Sequence, residues 1–285
     1  MFQFFRSVVH FAAPIFVVTT MLNVGLTQKL SDITGHLKNY PFVLKMLVAN
    51  FVVAPLLMIV ALHFAPFDPA LKAGLLIFSL CAGAPFLIKL TQTAKHDLAL
   101  GAAVMMLLMV VTVVYTPIVL PLVLSGISVD AWAVAKSLLL QLLLPIAAGM
   151  LIVKHLPDLA KKAQPWVAWL GNFAMYVLVG ATLVGYLPNI ISIVGTGAIL
   201  VGLMFVAMAF GTGYMMGAGK DHLQDVGGLA TAQRNTAAGV IIAVQNFTDP
   251  NVLVMLTLAN MLGIVMLLLI AKVLSRDNKV ETETV

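Results

Sequence analysis

The stretch "GGLATAQRNTAAGVIIAVQNF", Gly227 to Phe247, carries a single charged residue, Arg234. Gln233, Asn235 and Thr236 surround this arginine, and apolar sequence continues on both sides. A charged residue at the centre of a bilayer costs about 2.5–3.5 kcal/mol on insertion scales, and such residues usually serve a function. The fold therefore has to provide groups that surround and stabilise Arg234.

The composition places the chain in a membrane. Of its 285 residues 61% are hydrophobic and 9% are charged, with a mean hydropathy of +1.06. Soluble domains are about 45–50% apolar and about 25% charged, so a soluble fold is excluded. The single cysteine, Cys81, excludes an internal disulfide and a multi-cysteine metal site. We expect no resident metal and no cofactor.

Apolar runs long enough to cross a bilayer divide the chain into nine predicted spans. A crossing helix needs roughly 20 apolar residues, and continuous rather than alternating apolar runs favour helices over a strand barrel. We therefore predict an all-α polytopic membrane protein with one transmembrane domain, 1–275, and a polar cytoplasmic tail, 276–285. The approximate spans are 8–27, 41–65, 70–93, 97–125, 131–155, 164–187, 194–218, 222–247 and 250–274.

The basic residues predict the orientation of these spans. With nine spans the termini lie on opposite sides, and cytoplasmic loops carry the excess of Lys and Arg. Three basic residues fall on the N-terminal side: Arg6, Lys72 and Lys136. Ten fall on the C-terminal side: Lys29, Lys38, Lys95, Lys154, Lys161, Lys162, Lys220, Lys272, Arg276 and Lys279. We therefore expect an external N-terminus and a cytoplasmic C-terminus. This topology also explains the basic pI of about 9.4 without nucleic acid as a partner.

Two spans contain helix-breaking residues and lie five positions apart. The third contains Gly83 and Pro85, and the eighth contains the Gly227–Gly228 pair and the polar residues around Arg234. Transporters built from inverted repeats place broken helices at matching positions, and unwound backbone at membrane depth must be buried in protein or line a cavity. We predict two repeats, about 8–125 and 131–274, whose breaks, Gly83–Pro85 and 228–235, are non-helical and meet at mid-membrane.

Four segments, in this order, resemble the bile acid:sodium symporter family. They are "MLNVGLTQKLSDITGHLKNYPFVLK" with Ser31-Asp32, "VANFVVAPLL", "FSLCAGAPF" and "ATAQRNTAAG". The resemblance implies ten helices in a panel domain and a core domain, with two broken helices crossing in the core. The resemblance begins at the family's second helix, so we expect a divergent nine-helix member lacking the first helix.

The resemblance also exposes departures in the second broken helix. Asn235 matches the Asn of the family's Gln-Asn pair, but Arg234 stands in place of the Gln. The family's Glu, four residues before that Gln, falls on Ala230. Loss of this carboxylate removes a ligand that the resemblance assigns to sodium.

Further departures affect the remaining sodium ligands. The family's Ser-Asn pair in the first broken helix falls on Pro85 and Phe86, and a Ser and a Thr of the next helix fall on Gly101 and Met105. Asn50 replaces a family Gln and keeps an amide. Sodium is still a possible ion, but the loss of acidic and hydroxyl ligands argues against it.

Three hypotheses for Arg234 follow. Its planar guanidinium matches a substrate carboxylate or phosphate in bidentate fashion. Alternatively, the guanidinium takes the place of a bound sodium ion, or it holds the crossing by donating to unwound carbonyls. The candidate ion- and substrate-binding residues are Asn50, Ala84, Pro85, Thr231, Gln233, Arg234, Asn235 and Thr236. Lys89, Lys95 and His96 are interpreted as interfacial.

The predicted function is that of a secondary transporter of a small organic anion. The alternative is a non-transporting sensor or scaffold that keeps the fold. An enzyme is not expected, because no metal-binding HExxH motif or buried carboxylate pair occurs. The expected partners are the lipid bilayer and the anion, and the expected location is a bacterial inner (plasma) membrane. The substrate, the coupling (sodium, proton or none), the direction and the oligomeric state are left open.

The orientation can be tested with a reporter that is active only in the cytoplasm. We expect activity from a fusion at the C-terminus and none from a fusion at the N-terminus, because the positive charges collect on the C-terminal side. An active N-terminal fusion would show that the predicted number of spans is wrong.

Overall fold

A computed structural model describes residues 2–28, 35–124, 130–217, 219 and 221–283. The regular elements within these residues are helices, as the sequence predicts. They are α1 (Phe2–Thr27), α2 (Tyr40–Phe64), α3 (Pro69–Leu80), α4 (Phe86–Thr93), α5 (Leu98–Val123), α6 (Ala131–His155), α7 (Pro157–Gly185), α8 (Leu187–Ile193), α9 (Ala198–Met216), α10 (Asp221–Ala232), α11 (Thr236–Asn246) and α12 (Pro250–Glu283). The predicted positions Lys29, Ser31, Asp32 and Lys220 lie outside the described residues, as does the junction 125–129.

Seven helices in the described residues are long and apolar enough to cross a membrane: α1, α2, α5, α6, α7, α9 and α12. The two half-helix pairs, α3–α4 and α10–α11, occupy the third and eighth predicted spans. The chain is therefore a polytopic, all-helical membrane protein, as predicted. Its two interrupted elements lie at the predicted positions in the chain.

The first break is confirmed and the second is shorter than predicted. Residues 81–84 are non-helical and Pro85 follows in a turn, but in the second span only residues 233–235 leave the helix. The prediction that 228–232 unwind is wrong, because Gly227 and Gly228 serve helix packing. The carbonyl of Gly227 would lie only 2.2 Å from a Cβ at Gly213 of α9, and the Phe210 ring 2.8 Å from one at Gly228.

Several helices extend beyond the predicted spans. Helix α1 begins at Phe2 and α7 at Pro157, so the polar first turns belong to the helices. Pro157 suits a helix start, because N–H groups in the first turn have no partner within the helix and proline lacks this group. Helix α12 continues through most of the assigned tail to Glu283, and no Gly or Pro after Gly263 stops it. The short α8 was not predicted.

The helices pack in two groups. Helices α1, α6 and α7 contact one another and form the panel. In the core, α9 packs on α10 and α12, α12 also packs on α3 and α11, and α4 packs on α5. Contacts of α5 with α6 and of α1 with α11 join the two groups. Both breaks therefore lie in the core, enclosed by unbroken helices.

Gly83 is the position in the first break where a side chain cannot be placed. Its φ of +76° lies in the left-handed region, and an added Cβ would approach the Met109 nitrogen of α5 to 2.2 Å. A left-handed residue with a Cβ costs roughly 1–2 kcal/mol, and overpacking typically adds about 1–3 kcal/mol. We expect Gly83→Ala to lower the free energy of unfolding by about 3 kcal/mol, measured by thermal unfolding in detergent.

Gly180→Ala is the matched control for this prediction. Gly180 lies in α7, is exposed, and has open space where a Cβ would stand. Because alanine is the better helix former, we expect this variant to be unchanged or more stable by up to about 1 kcal/mol. Equal stability of the two variants would contradict the conformation of the first break.

Candidate functional site

Helix α5 satisfies the backbone of the first break. Thr112 Oγ1 accepts a hydrogen bond from the Ala82 N–H and donates to the Ala82 carbonyl, each at 3.1 Å. One turn further along α5, Thr116 Oγ1 donates to the Leu80 carbonyl at 3.5 Å. A buried backbone group without a partner is costly in hydrocarbon, so these two threonines allow the chain to leave the helix here.

Asn235 joins the second break to the first. Its backbone N–H donates to the Cys81 carbonyl at 2.8 Å, and its side-chain Nδ2 donates to the Gly83 carbonyl at 2.9 Å. Its Oδ1 accepts from the Ala238 N–H at 3.1 Å and caps the N-terminus of α11. The predicted meeting of the two breaks is therefore observed, and Asn235 makes two of the hydrogen bonds between them.

Arg234 bridges the C-terminal ends of two half-helices. Its Nη1 donates to the Ser79 carbonyl in the last turn of α3 at 3.1 Å, and its Nη2 donates to the Thr231 carbonyl in the last turn of α10. The guanidinium carbon lies 5.2 Å from the centre of the Phe205 ring, within range of a cation–π contact. The side chain is 1% exposed, and its Nε has no hydrogen-bond partner.

We refer to the place where the two breaks, 81–85 and 233–235, meet as the crossing. Asn50 approaches it from α2. Its Nδ2 donates to the Met46 carbonyl at 3.0 Å and to Thr231 Oγ1 at 3.1 Å, while its buried Oδ1 has no partner. Asn50 lies in a π-helical turn, Ala49–Val53, which ends two residues before Pro55. Because proline lacks an N–H, the helical ladder opens here, and such π turns often occur at functional sites.

The remaining predicted residues lie along the same crossing. Gln233 is buried and its Nε2 donates to the Arg234 carbonyl at 3.3 Å. Thr236 is the first residue of α11 and is half-buried. Ala84 is buried, and its carbonyl accepts from the Leu87 N–H, while Pro85 precedes α4. Seven of the eight predicted residues therefore lie in the two breaks or within two residues of them, and the eighth, Asn50, contacts Thr231 beside the second break.

The crossing is enclosed in this conformation. Residues 225–235 are buried throughout. A groove of about 400 Å³ between α1 and α7 is lined by apolar side chains, among them Phe11 and Phe173, and includes no residue of the crossing. A second, of about 420 Å³, lies between α9 and α12, away from both breaks. Arg234 therefore becomes accessible from outside the protein only when the helices around it move.

Sequence reasoning missed the two threonines that support the first break, and it missed a buried contact elsewhere in the core. Thr112 and Thr116 are four residues apart, so they share one face of an otherwise apolar helix, and this spacing is the signal that was available. His96 and Asp225 form a buried contact, with Nε2 and Oδ2 2.6 Å apart and exposed side-chain fractions of 6% and 9%. The interfacial interpretation of His96 is therefore wrong. Its burial depends on a long-range contact that spacing along the chain does not reveal.

Asn235 provides a stability test of the crossing. Asn235→Ala removes a helix cap, worth about 1 kcal/mol, and leaves the buried Gly83 carbonyl without a donor, which costs about 1–3 kcal/mol. We expect a loss of about 3 kcal/mol in the free energy of unfolding. As a control, Asn246→Ala removes a half-buried side chain that donates to Ile242 one turn earlier, so we expect a change within about 0.5 kcal/mol. Equal effects would contradict the bridging role of Asn235.

Comparison with known proteins identifies relatives of this chain. Residues 14–193 match the model of the Sodium Bile acid symporter family. Three proteins of Arabidopsis thaliana, named "Probable sodium/metabolite cotransporter" BASS3, BASS5 and BASS1, "chloroplastic", are 26%, 26% and 25% identical to this chain. The alignments cover 68%, 81% and 81% of this chain and 45%, 60% and 58% of those proteins.

The chain thus spans about half the length of the curated relatives it matches. The family match covers α1 from residue 14, the whole of α6 and α7 and the first break, and it ends before α10. Since the match extends over more than half of the chain, this protein belongs to the sodium bile acid symporter family.

Proposed function

We propose that the protein is a secondary transporter of a small organic anion in which Arg234 takes the place of a sodium ion. The observation that carries the proposal is the position of the guanidinium, which donates to carbonyls of both broken helices. Membership of a transporter family and the names of the relatives support transport as the activity. Those names include sodium, so the proposal departs from the relatives in its coupling.

The electrostatics of the crossing favour a cation at this place. The carbonyls of Ser79 and Thr231 belong to the C-terminal ends of α3 and α10, where helix dipoles present partial negative charge. A bound sodium ion and the guanidinium of an arginine side chain can both neutralise this partial negative charge. At Ala230, where the resemblance assigns a carboxylate, the side chain is a buried methyl group, so no fixed negative charge attracts a further cation.

The same guanidinium also opposes sodium binding nearby. Two unit charges about 4 Å apart repel by roughly 4 kcal/mol at an effective dielectric near 20. Since about 1.4 kcal/mol corresponds to a tenfold change in affinity, the repulsion weakens sodium binding roughly a thousandfold. Neutral ligands such as Asn50 and Thr231 do not offset such a penalty at physiological salt.

An anionic substrate suits the other side of the crossing. Helices α4 and α11 begin directly after the breaks, and helix N-termini favour anions. Arg234 Nε is a buried donor without a partner, so it is available to a substrate oxygen when the core opens. In this arrangement Nη1 and Nη2 donate to carbonyls at the C-terminal ends of α3 and α10, and Nε remains to donate to the substrate.

The orientation and location belong to the same proposal. The excess of basic residues supports an external N-terminus and a cytoplasmic C-terminus in a bacterial inner membrane. A non-transporting sensor or scaffold is the alternative function. It requires the same closed crossing but predicts no flux, and a flux assay distinguishes the two.

Uptake into proteoliposomes tests the sodium-independent mechanism. We expect accumulation of at least one of pyruvate, succinate and taurocholate that is unchanged when choline replaces sodium. Arg234→Gln should weaken anion uptake without creating sodium dependence, because Ala230 still lacks the carboxylate. Arg234→Gln combined with Ala230→Glu should gain a measurable response to sodium, since both the repulsion and the missing ligand are then corrected.

Loss of wild-type uptake in choline would refute the sodium surrogate and leave Arg234 a structural role. Absence of uptake for every anion, with folded protein in the liposomes, would favour the sensor or scaffold. The matched control is Asn246→Ala, whose side chain lies one helix length from the crossing at the end of α11. It should retain wild-type uptake.

A further inference from the structure

A second buried charge lies in the core, apart from the crossing. Asp225 in α10 is 6% exposed, and its Oδ2 lies 2.6 Å from Nε2 of His96. Asp225 and Arg234 are the charged side chains that are buried among the described residues. A carboxylate in this setting is expensive unless it has a hydrogen-bond partner, and His96 supplies one.

The backbone places His96 with unusual geometry. Lys95 has φ +61°, a left-handed conformation that the other non-glycine residues in the described part of the chain do not adopt. The His96 N–H donates to the Thr91 carbonyl at 3.1 Å and the Lys95 N–H to the Gln92 carbonyl at 3.2 Å. These bonds form a Schellman cap at the end of α4, a motif that usually has glycine at the position of Lys95. The strained cap turns His96 into the core towards Asp225.

The pair connects the same two broken helices as the crossing does. His96 follows α4, which starts just after the first break, and Asp225 lies in α10, which ends at the second. Asp225 is six residues from Thr231, an acceptor of Arg234, which corresponds to about 9 Å along a helix. The two half-helices are therefore joined at both ends, by Asn235 and Arg234 at one end and by a histidine–aspartate contact at the other.

The surroundings of the pair favour a proton as its ligand. No group of three metal-binding side chains occurs among the described residues, so a metal site is not supported there. The elements next to the pair carry these exposed charged groups: Lys45, Lys89, Lys95, Asp97, His222 and Lys272. Tyr115 on α5 is half-buried, and its hydroxyl donates to the Phe51 carbonyl rather than to the pair. His36, half-buried, contacts Asp97 rather than the pair, at 3.3 Å. The pair is thus a buried acid–base contact within a shell of solvated charges.

We propose that the His96–Asp225 pair binds the proton that is transported together with the anion. With neutral His96 donating to the Asp225 carboxylate, the pair has one net negative charge. One added proton converts it to imidazolium and carboxylate with no net charge. Buried Asp and His chains of this kind act as proton relays in membrane transporters. Moving one proton with one monoanion transfers no net charge, so a pH gradient replaces the sodium gradient as the driving force.

This inference rests on the proposed function, and a proton-gradient assay tests it separately. The full-length protein is reconstituted without sodium, with equal potassium on both sides and valinomycin to hold the membrane potential at zero. The probes are taurocholate and isethionate, whose sulfonates stay ionised and do not cross lipid as neutral acids. With the outside more acidic by about one pH unit, coupling of one proton to one anion gives about tenfold accumulation. Pyranine in the lumen should report acidification, and protein-free liposomes supply the blank.

Variants of the pair separate proton coupling from folding. We expect Asp225→Asn and His96→Gln to lose gradient-driven accumulation, from about tenfold to onefold, and to lose lumen acidification. Both should retain counterflow, the exchange of labelled for unlabelled anion without a gradient, because exchange needs no net proton movement. His222→Gln, an exposed histidine three residues before Asp225 on the same half-helix, should behave as wild type.

The possible failures are distinguishable. Wild-type counterflow with accumulation indifferent to the pH gradient would overturn the proton site and leave the proposed transporter intact. Loss of counterflow together with accumulation in both variants would show that the pair only holds the helices, and would also overturn the inference. Absence of both counterflow and uptake in folded wild-type protein, for all the anions named above, would overturn the proposed function and the proton site with it.

Discussion

Backbone groups that leave a helix at membrane depth must find partners inside the protein, and this constraint organises the core. The first break exposes the carbonyls of Ser79 to Gly83, and each is met by a side chain or backbone donor of α5 or of the second break. These carbonyls depend on donors within the protein, because lipid offers no hydrogen-bond donor at this depth. The position of α5, the crossing of the half-helices and the burial of Arg234 follow from satisfying this one short segment.

A covalently attached cation differs from a bound ion in one respect that matters for transport. Sodium stabilises the same kind of carbonyl cluster only while it is bound, so its gradient can drive a conformational cycle. Arg234 cannot dissociate, and it therefore contributes structure without contributing driving force. A transporter that works as we propose must either move its substrate downhill or obtain its driving force from another site. The buried His96–Asp225 contact has the chemistry for the second solution.

The sequence predicted the architecture of the core better than its fine structure. Gly83 and Pro85 were recognisable because both disfavour a helix, and Arg234 was recognisable because a charge is rare in an apolar run. Gly227 and Gly228 were misinterpreted, since glycine marks a break in one context and close helix packing in another. Only the contact with α9 distinguishes these uses. Asp225 lies near the end of a predicted span, where sequence alone does not separate a solvated acid from a buried one.

The signs of the two buried charges in the core match the direction of the α10 helix dipole. Asp225 is near the N-terminus of this half-helix and Arg234 lies just beyond its C-terminus. The helix dipole favours an anion at the first end and a cation at the second. Each charge is therefore stabilised by the dipole of this twelve-residue helix, roughly 18 Å long, as well as by its side-chain or carbonyl partners. A proton that neutralises the Asp225 end alters this balance while the Arg234 end stays fixed. One short helix thus links a titratable contact to the crossing where we place the anion.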